Sequence, residues 1–325
     1  MAEFLVKAKT NDADEGGTVL PTVLLNEPIA TSGVELLRQA GFQVFERPAG
    51  ASLLTLLQKI PQLAATQAIV ARAGKLTIAD LKRFPELKII ARHGVGVDNL
   101  PLDYLKKRQI QLTYTPGINA RSVAELTMTL ILSLLHQLPL SIATQQRQIG
   151  SLLTGKTVGL IGYGSIAQEV EKLLQPFRVE ILVWNHRPKK VKFGKQVTIA
   201  ELVKQSQIIS LHIPSTPQTK QFFSAKLLTK MRSEAILINT ARGSLIKTDD
   251  LYDALFQGQL AGAAVDVFSA GPRHSLNDFQ KLPNFIATPH IGAETQEILT
   301  ASACQCAEEI KRFFAGQPAL NPYWQ

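Results

Sequence analysis

One short segment constrains this chain more than any other. The apolar run Val158-Gly159-Leu160-Ile161 passes directly into Gly162-Tyr163-Gly164-Ser165-Ile166-Ala167, and an amphipathic pattern follows to Leu174. The run predicts a buried strand and the pattern a helix, so a GxGxxA motif falls on the turn between them. Gly162 permits the tight turn, Gly164 lets a pyrophosphate approach the backbone, and small Ala167 lets helix and strand pack closely. The N–H groups at the helix start, near Ser165 and Ile166, face an anion with the helix dipole favourable. The motif therefore predicts a doubly wound α/β domain that binds a dinucleotide.

The rest of the chain agrees with that class. Strands are expected at Thr22–Leu25, Ala68–Ala71, Lys88–Ala91 and Ile110–Tyr114, and again at Val158–Ile161, Ile181–Trp184, Ile208–His212, Ala235–Ile238 and Ala263–Val265. Helical patterns separate them at Gly33–Ala40 (Ser32 as N-cap, Gly41 as stop), Ile78–Phe84, Leu102–Lys107 and Ser122–Gln137, with a polar stretch from Ser141 to Thr154. Such alternation indicates parallel sheets. At 325 residues the chain suits two domains rather than one core. We expect an α/β protein of two Rossmann-like doubly wound parallel-sheet domains with a cleft between them. Residues 1–118 and 295–325 form the substrate-binding domain and 119–294 the dinucleotide-binding domain, because the last helix, Thr295 to Ala315, suits packing back on the first unit.

Composition removes several function classes. Residues 1–17 read as a solvated tail without a signal pattern, and no apolar run is long enough to span a bilayer, so a cytoplasmic protein with no membrane partner is expected. Cys304 and Cys306 lie two apart on a helical pattern and do not share a face. Reduced structural thiols follow, with neither disulfide nor metal. Thirty-five Lys and Arg against 26 Asp and Glu give a net charge of +9. The basic residues are dispersed and no nucleic-acid module is present, so the charge points to anionic small molecules rather than nucleic acid.

The end of the second expected strand selects the dinucleotide. An acidic residue about 20 positions after the glycine turn accepts the ribose hydroxyls of NAD. Here the chain reads Trp184-Asn185-His186-Arg187-Pro188-Lys189-Lys190. Asn185 stands at the acidic position and does not repel a 2′-phosphate, while Arg187 offers it a fork of donors. NADP(H) is favoured over NAD(H).

Further segments turn binding into chemistry. His93-Gly94-Val95-Gly96-Val97-Asp98-Asn99, Thr115-Pro116-Gly117, Ser122-Val123-Ala124-Glu125, Asn239-Thr240-Ala241-Arg242-Gly243, Gly262 to Phe268 and Thr288-Pro289-His290-Ile291-Gly292-Ala293 follow one another in this order. Together they resemble the D-isomer-specific 2-hydroxyacid dehydrogenases from residue 21 to the end, most closely the D-3-phosphoglycerate dehydrogenases and the hydroxypyruvate or glyoxylate reductases. The resemblance implies a small 2-keto or 2-hydroxy acid as substrate. Reducing a 2-keto acid needs a cation on its carboxylate and carbonyl, which Arg242 can supply, and a proton, which His290 can supply. The resemblance also implies that backbone groups of Ala73-Gly74 and Val95-Gly96 bind the substrate carboxylate; His93 and Arg72 face the expected cleft, where they would read a substrate phosphate. It gives Asp266 the nicotinamide carboxamide and makes His212, Ile213 and Pro214 an adenine-side wall. His186, Thr219, Thr240, Ala241, His290 and Gly292 complete the cofactor-facing set.

Two departures stand out. The family places a glutamate before a proline just after Asp-Val-Phe, where it orients the catalytic histidine. This chain has Gly271 there, in Ser269-Ala270-Gly271-Pro272. Either ketoacid reduction weakens near neutrality and shifts toward acid, or the chain is a silent cofactor sensor resembling the C-terminal binding protein corepressors. Gly271→Glu should separate the two. The connection from Gln137 to Gly155 is also shorter than in the family; because that region contributes to dimer contacts in relatives, a homodimer is the expected assembly.

Overall fold

The computed structural model describes residues 20–324, so the expected N-terminal tail lies outside the described residues. The chain divides into two compact units, one running to Ile118 and resuming at Gln296, the other spanning Asn119–Thr295.

The first unit holds five strands: β1 (Thr22–Leu25), β2 (Gln43–Glu46), β3 (Thr66–Ala71), β4 (Ile89–Arg92) and β5 (Gln111–Thr113). They are parallel, in the order β2-β1-β3-β4-β5. Strands covered on both faces carry unbroken apolar runs, and the side-chain alternation then sorts them. Leu24, Ile69, Ile90 and Leu112 face one cluster with Leu81, Phe84 and Leu105. Val23, Leu25, Val70 and Ala91 face another with Val34, Leu37, Cys306 and Ile310. The C-terminal helix Gln296–Phe314 thus completes this unit. A Cβ on Gly33 would lie 2.7 Å from Ala303, so the 31–39 and 296–314 helices meet more closely there than a side chain would allow.

Three local expectations are corrected. Helix Thr31–Gln39 starts before Ser32, with Ala30 at the cap position and no side-chain cap; the Ser32 hydroxyl instead accepts from Cys304 Sγ at 3.5 Å. The 78–84 pattern yields only the turn Ile78–Leu81. Strand β2 falls outside the expected set, because as an edge strand it buries a single apolar residue, Phe45.

The second unit holds β6 (Thr157–Ile161), β7 (Glu180–Trp184), β8 (Lys195–Gln196), β9 (Ile208–Leu211), β10 (Ile236–Asn239), β11 (Gly262–Val265) and β12 (Phe285–Ala287). All are parallel, in the order β12-β11-β10-β9-β6-β7-β8. The chain winds outward from β6 through β7 to β8, returns, and winds the other way from β9. This is the doubly wound Rossmann order, whose reversal between β6 and β9 opens a crevice at the carboxyl ends of the strands. Helix Ala120–Leu135 covers one face through Ala124, Met128, Ile131 and Leu135. Part of the expected polar stretch is instead a helix, Leu138–Thr144. Among the described residues no single helix is long and apolar enough to cross a membrane, and no group of His, Cys, Asp and Glu is arranged to hold a metal. Both cysteines are free; Cys306 is buried, which pushes its thiol well above the ordinary range.

Candidate active site

The glycine turn lies at the β6 end of the crevice. Gly162 has φ +95°, and a Cβ there would stand 2.5 Å from the carbonyl oxygen of His212, so both its conformation and its neighbour exclude a side chain. Gly164 differs: a Cβ would meet nothing within 4 Å. Open space over Gly164, at the start of the ten-residue helix Ser165–Leu174, is what a pyrophosphate requires. The residues present therefore fit a dinucleotide.

Around it, His212 follows β9, and its ring Nε2 lies 2.9 Å from Ser210 Oγ. Burial lowers the His212 pKa to about 4. Ile213 is buried, and Thr219 closes the next loop by donating from Oγ1 to the Pro214 carbonyl at 2.7 Å. After β7, Asn185 Nδ2 donates to the Arg187 carbonyl at 2.9 Å, which folds the basic turn on itself; His186 and Arg187 are exposed. Thr240 is buried, with its hydroxyl 3.2 Å from Thr127 Oγ1. Its side chain thus serves packing, and only its backbone remains for the cofactor role expected of it.

Arg242 follows β10. Buried Asn239 shapes this turn, accepting from Ala241 N at 3.1 Å and donating to the Arg242 carbonyl at 2.9 Å. His290 follows β12 and is the more unusual of the two: it is exposed and has φ +59°, a left-handed conformation that side chains with a Cβ rarely adopt. Asp266, 2% exposed at the end of β11, holds it there. Its carbonyl accepts from His290 N at 2.8 Å, its Oδ1 from Thr288 Oγ1 at 2.6 Å and Ile291 N at 2.8 Å, and its Oδ2 from Gly292 N at 2.9 Å. Ser122 Oγ then donates to the Gly292 carbonyl at 2.7 Å. The resemblance assigns Asp266 to the nicotinamide carboxamide; here its carboxylate is the anchor of the His290 loop. Sequence reasoning misses that task, because a strand-end aspartate looks alike in either role.

The Gly271 loop carries a second correction. A Cβ on Gly271 would lie 2.4 Å from Asp249 Oδ1. Asp249 Oδ1 accepts from Arg273 N at 3.2 Å and His274 N at 3.1 Å and lies 3.2 Å from His274 Nδ1, while that ring stacks 3.8 Å from Tyr252. Burial works to raise the Asp249 carboxyl, but the amides of Arg273 and His274 and the His274 ring outweigh it and hold it below its ordinary value. Asp278 is engaged with Ser275 N and Oγ at 2.9 and 2.8 Å. Gly271 is therefore a steric requirement of a loop moored on Asp249. Gly271→Glu would place a second carboxyl against the first and cannot serve as a simple restoration.

In the first unit, loop 71–74 leaves β3 and loop 93–96 leaves β4. Arg92 binds both, donating to the carbonyls of Gly96 (2.5 Å), Ala71 (3.0 Å) and Arg72. Asn99 Nδ2 donates to the carbonyls of Arg72, Ala73 and Gly74 at 3.0–3.1 Å. The Ala73 N–H, expected for a substrate carboxylate, donates to Glu27 Oε2 at 2.7 Å, and a Cβ on Gly74 would stand 2.9 Å from Glu27 Oε1. A side-chain carboxylate from the end of β1 thus occupies the position foreseen for the ligand. His93 is 7% exposed, with Nε2 3.3 Å from the Leu299 carbonyl, and burial lowers its pKa. That withdraws His93 from phosphate recognition: the ring joins the C-terminal helix to the sheet. Arg72 NH1 reaches the Pro28 carbonyl at 3.3 Å, and Val95 is 38% exposed.

Comparison with known proteins supplies the family. The family model described as "D-isomer specific 2-hydroxyacid dehydrogenase, NAD binding domain" matches residues 131–292. The chain is 34% identical to a D-3-phosphoglycerate dehydrogenase of Methanocaldococcus jannaschii over 92% of its own length, but it spans only 58% of that relative. It is 31% identical to a glyoxylate reductase of Thermococcus litoralis, over 93% of this chain and 96% of the relative. Among solved structures, an NADPH-dependent glyoxylate/hydroxypyruvate reductase of Sinorhizobium meliloti in complex with NADP and malonate superposes with TM-score 0.82 at 25% identity, covering 94% of this chain and 97% of that one. With two doubly wound parallel sheets, a glycine turn that fits a dinucleotide and a full-length relative at 31% identity, the chain belongs to the D-isomer-specific 2-hydroxyacid dehydrogenase family.

Proposed function

We propose that this chain reduces a small 2-keto acid to the D-2-hydroxy acid with NADPH, glyoxylate and hydroxypyruvate being the favoured substrates and 3-phosphoglycerate the oxidative alternative. One observation carries the reading: His290 is exposed in a strained left-handed conformation, in a loop that Asp266 holds with four hydrogen bonds through backbone and side chain. Such a conformation persists only where the surrounding structure over-determines it, and here the Asp266 network does so while leaving the side chain open to solvent.

The residues divide the work by chemistry. A bound nicotinamide supplies the hydride. Gly164, Ser165 and Ile166 receive the pyrophosphate, and Arg187 receives the 2′-phosphate. Arg242 places its guanidinium on the carboxylate and carbonyl oxygens, drawing electron density from the carbonyl carbon. His290 gives its proton to the carbonyl oxygen as the C–H bond forms, and recovers it from water. Backbone groups of Val95 and Gly96 receive the carboxylate end of the acid, and Arg72 a phosphate where the acid carries one. Two features support NADPH over NADH: the absence of a carboxylate at Asn185, and the folded basic turn. A homodimer through residues 138–152 is supported by exposed Leu138, Ile142, Ile149 and Leu152.

The decisive experiment follows NADPH and NADH oxidation against glyoxylate, hydroxypyruvate, pyruvate and longer 2-keto acids between acid and neutral pH. Turnover with NADPH is expected, with Arg242→Lys lowering kcat/KM by about 10²–10³-fold because an ammonium cannot make the bidentate contact. NADPH binding without turnover of any acid would favour the cofactor-sensing alternative, to which the mooring of the Gly271 loop on Asp249 also lends support.

A further inference from the structure

The basic turn 185–192 is fastened to the glycine turn at both of its limbs. On the outgoing limb, Gly162 N donates to the Trp184 carbonyl at 2.8 Å. On the returning limb, Lys192 N donates to Tyr163 Oη at 3.0 Å, and Phe193 N donates to Glu171 Oε1 at 3.0 Å. Tyr163 Oη in turn donates to Glu171 Oε2 at 2.5 Å. Glu171 is 1% exposed and Tyr163 5% exposed, so a buried carboxylate midway along the pyrophosphate helix ties the glycine turn to a solvent-facing loop. A charged group this deeply buried is stable only when its oxygens are satisfied, and here the phenol and one loop amide satisfy them. Burial, reinforced by Glu171, raises the Tyr163 phenol above its ordinary value, so it remains a donor throughout the working range.

The interior of the turn is equally fixed. Gln196 Nε2 donates to the carbonyls of Asn185 (3.2 Å) and Arg187 (3.3 Å), and its Oε1 accepts from Lys189 N at 2.9 Å. With both limbs and interior held, the cations of the turn stand in one place relative to the pyrophosphate turn. We infer that Glu171 and Tyr163 are positioning residues for cofactor selection: they hold the basic turn where it discriminates a 2′-phosphate from a 2′-hydroxyl. This rests on the NADPH reading above.

The test is a fluorescence titration of the full chain with NADPH and NADH, for wild type, Glu171→Gln and Tyr163→Phe, together with amide hydrogen exchange. Glu171→Gln puts an amide donor against one of the two donors that the carboxylate now accepts, and Tyr163→Phe removes the acceptor of Lys192 N. Each variant is expected to weaken NADPH about tenfold and NADH less than threefold, and to speed exchange at Lys192 and Phe193 about tenfold while β6 and β7 keep their protection. Equal weakening of both cofactors overturns the inference, since it would report general loosening. Tighter NADPH binding by Glu171→Gln also overturns it, because removal of a negative charge would then outweigh any loss of position. A wild-type chain that binds NADH as tightly as NADPH overturns the cofactor reading and the discrimination with it. The anchor itself is judged separately by exchange, and unchanged rates at Lys192 and Phe193 overturn that.

Discussion

Arg242 and His290 are held by opposite means, and the difference is visible residue by residue. Asn239 shapes the Arg242 turn from below, in a β-region conformation that strains nothing. His290 is forced into left-handed space by a network centred on one carboxylate. Glu27 shows a third situation, a side chain on a donor that the family resemblance assigns to the substrate. Its charge also opposes an incoming anion. Glu27→Ala should therefore lower KM for the keto acid by about five- to tenfold, while removing a solvent-exposed hydrogen bond that contributes about 0.5–1 kcal/mol to stability. Steady-state kinetics beside thermal unfolding separates the two effects. A raised KM would mean that Glu27 builds the carboxylate site instead of filling it.

At the scale of elements, the loop after β12 depends on the strand beside it. β11 presents Asp266 to four partners, three of them backbone N–H groups of residues 290–292. In Asp266→Asn, Nδ2 must face a donor, leaving at least one buried N–H unsatisfied. A loss of about 1–3 kcal/mol and a fall in kcat of about tenfold or more are expected, read by urea denaturation and by turnover at saturating substrate. Unchanged kcat with lowered stability would confine Asp266 to folding. The neighbouring loop after β11 follows the same logic with a different anchor: Asp249, at the start of helix Thr248–Phe256, gathers residues 271–274. The glycine there reads as a lost catalytic group in one dimension and as a packed contact in three.

For the whole molecule, the titratable groups that depart from their ordinary values set the response to acid. His212 is held neutral down to about pH 4 by burial, against an ordinary value of 6.5. Between those values the unfolded chain takes up a proton that the folded chain refuses. Stability attributable to this group is thus complete above pH 6.5 and declines as pH falls toward 4, by about 2–3 kcal/mol at the acid end. Burial of His93 acts in the same direction. The Asp249 carboxylate adds stability above the ordinary carboxylate range, which is lost as pH falls through its lowered value. His212→Gln should flatten the urea midpoint between about pH 6.5 and 4.5; an unaltered slope would assign the acid response elsewhere.

How much is readable in one dimension follows from what each feature depends on. Strands buried on both faces, such as Val158–Ile161 and Ile208–Leu211, announce themselves as apolar runs, and the GxGxxA turn needs only neighbours in sequence; so class, sheet type and cofactor position can be read directly. Edge strands β2 and β8 cannot, because they bury too little to leave a periodic trace. Nor can the backbone partners of Asp266, Glu27, Asp249 and Glu171, which meet N–H groups 22 to 46 residues away. A carboxylate carries no mark of which distant N–H it will meet. The local code determined the winding and the glycine turn, and the folded chain alone decided which distant N–H groups each acid meets and so which loops it braces.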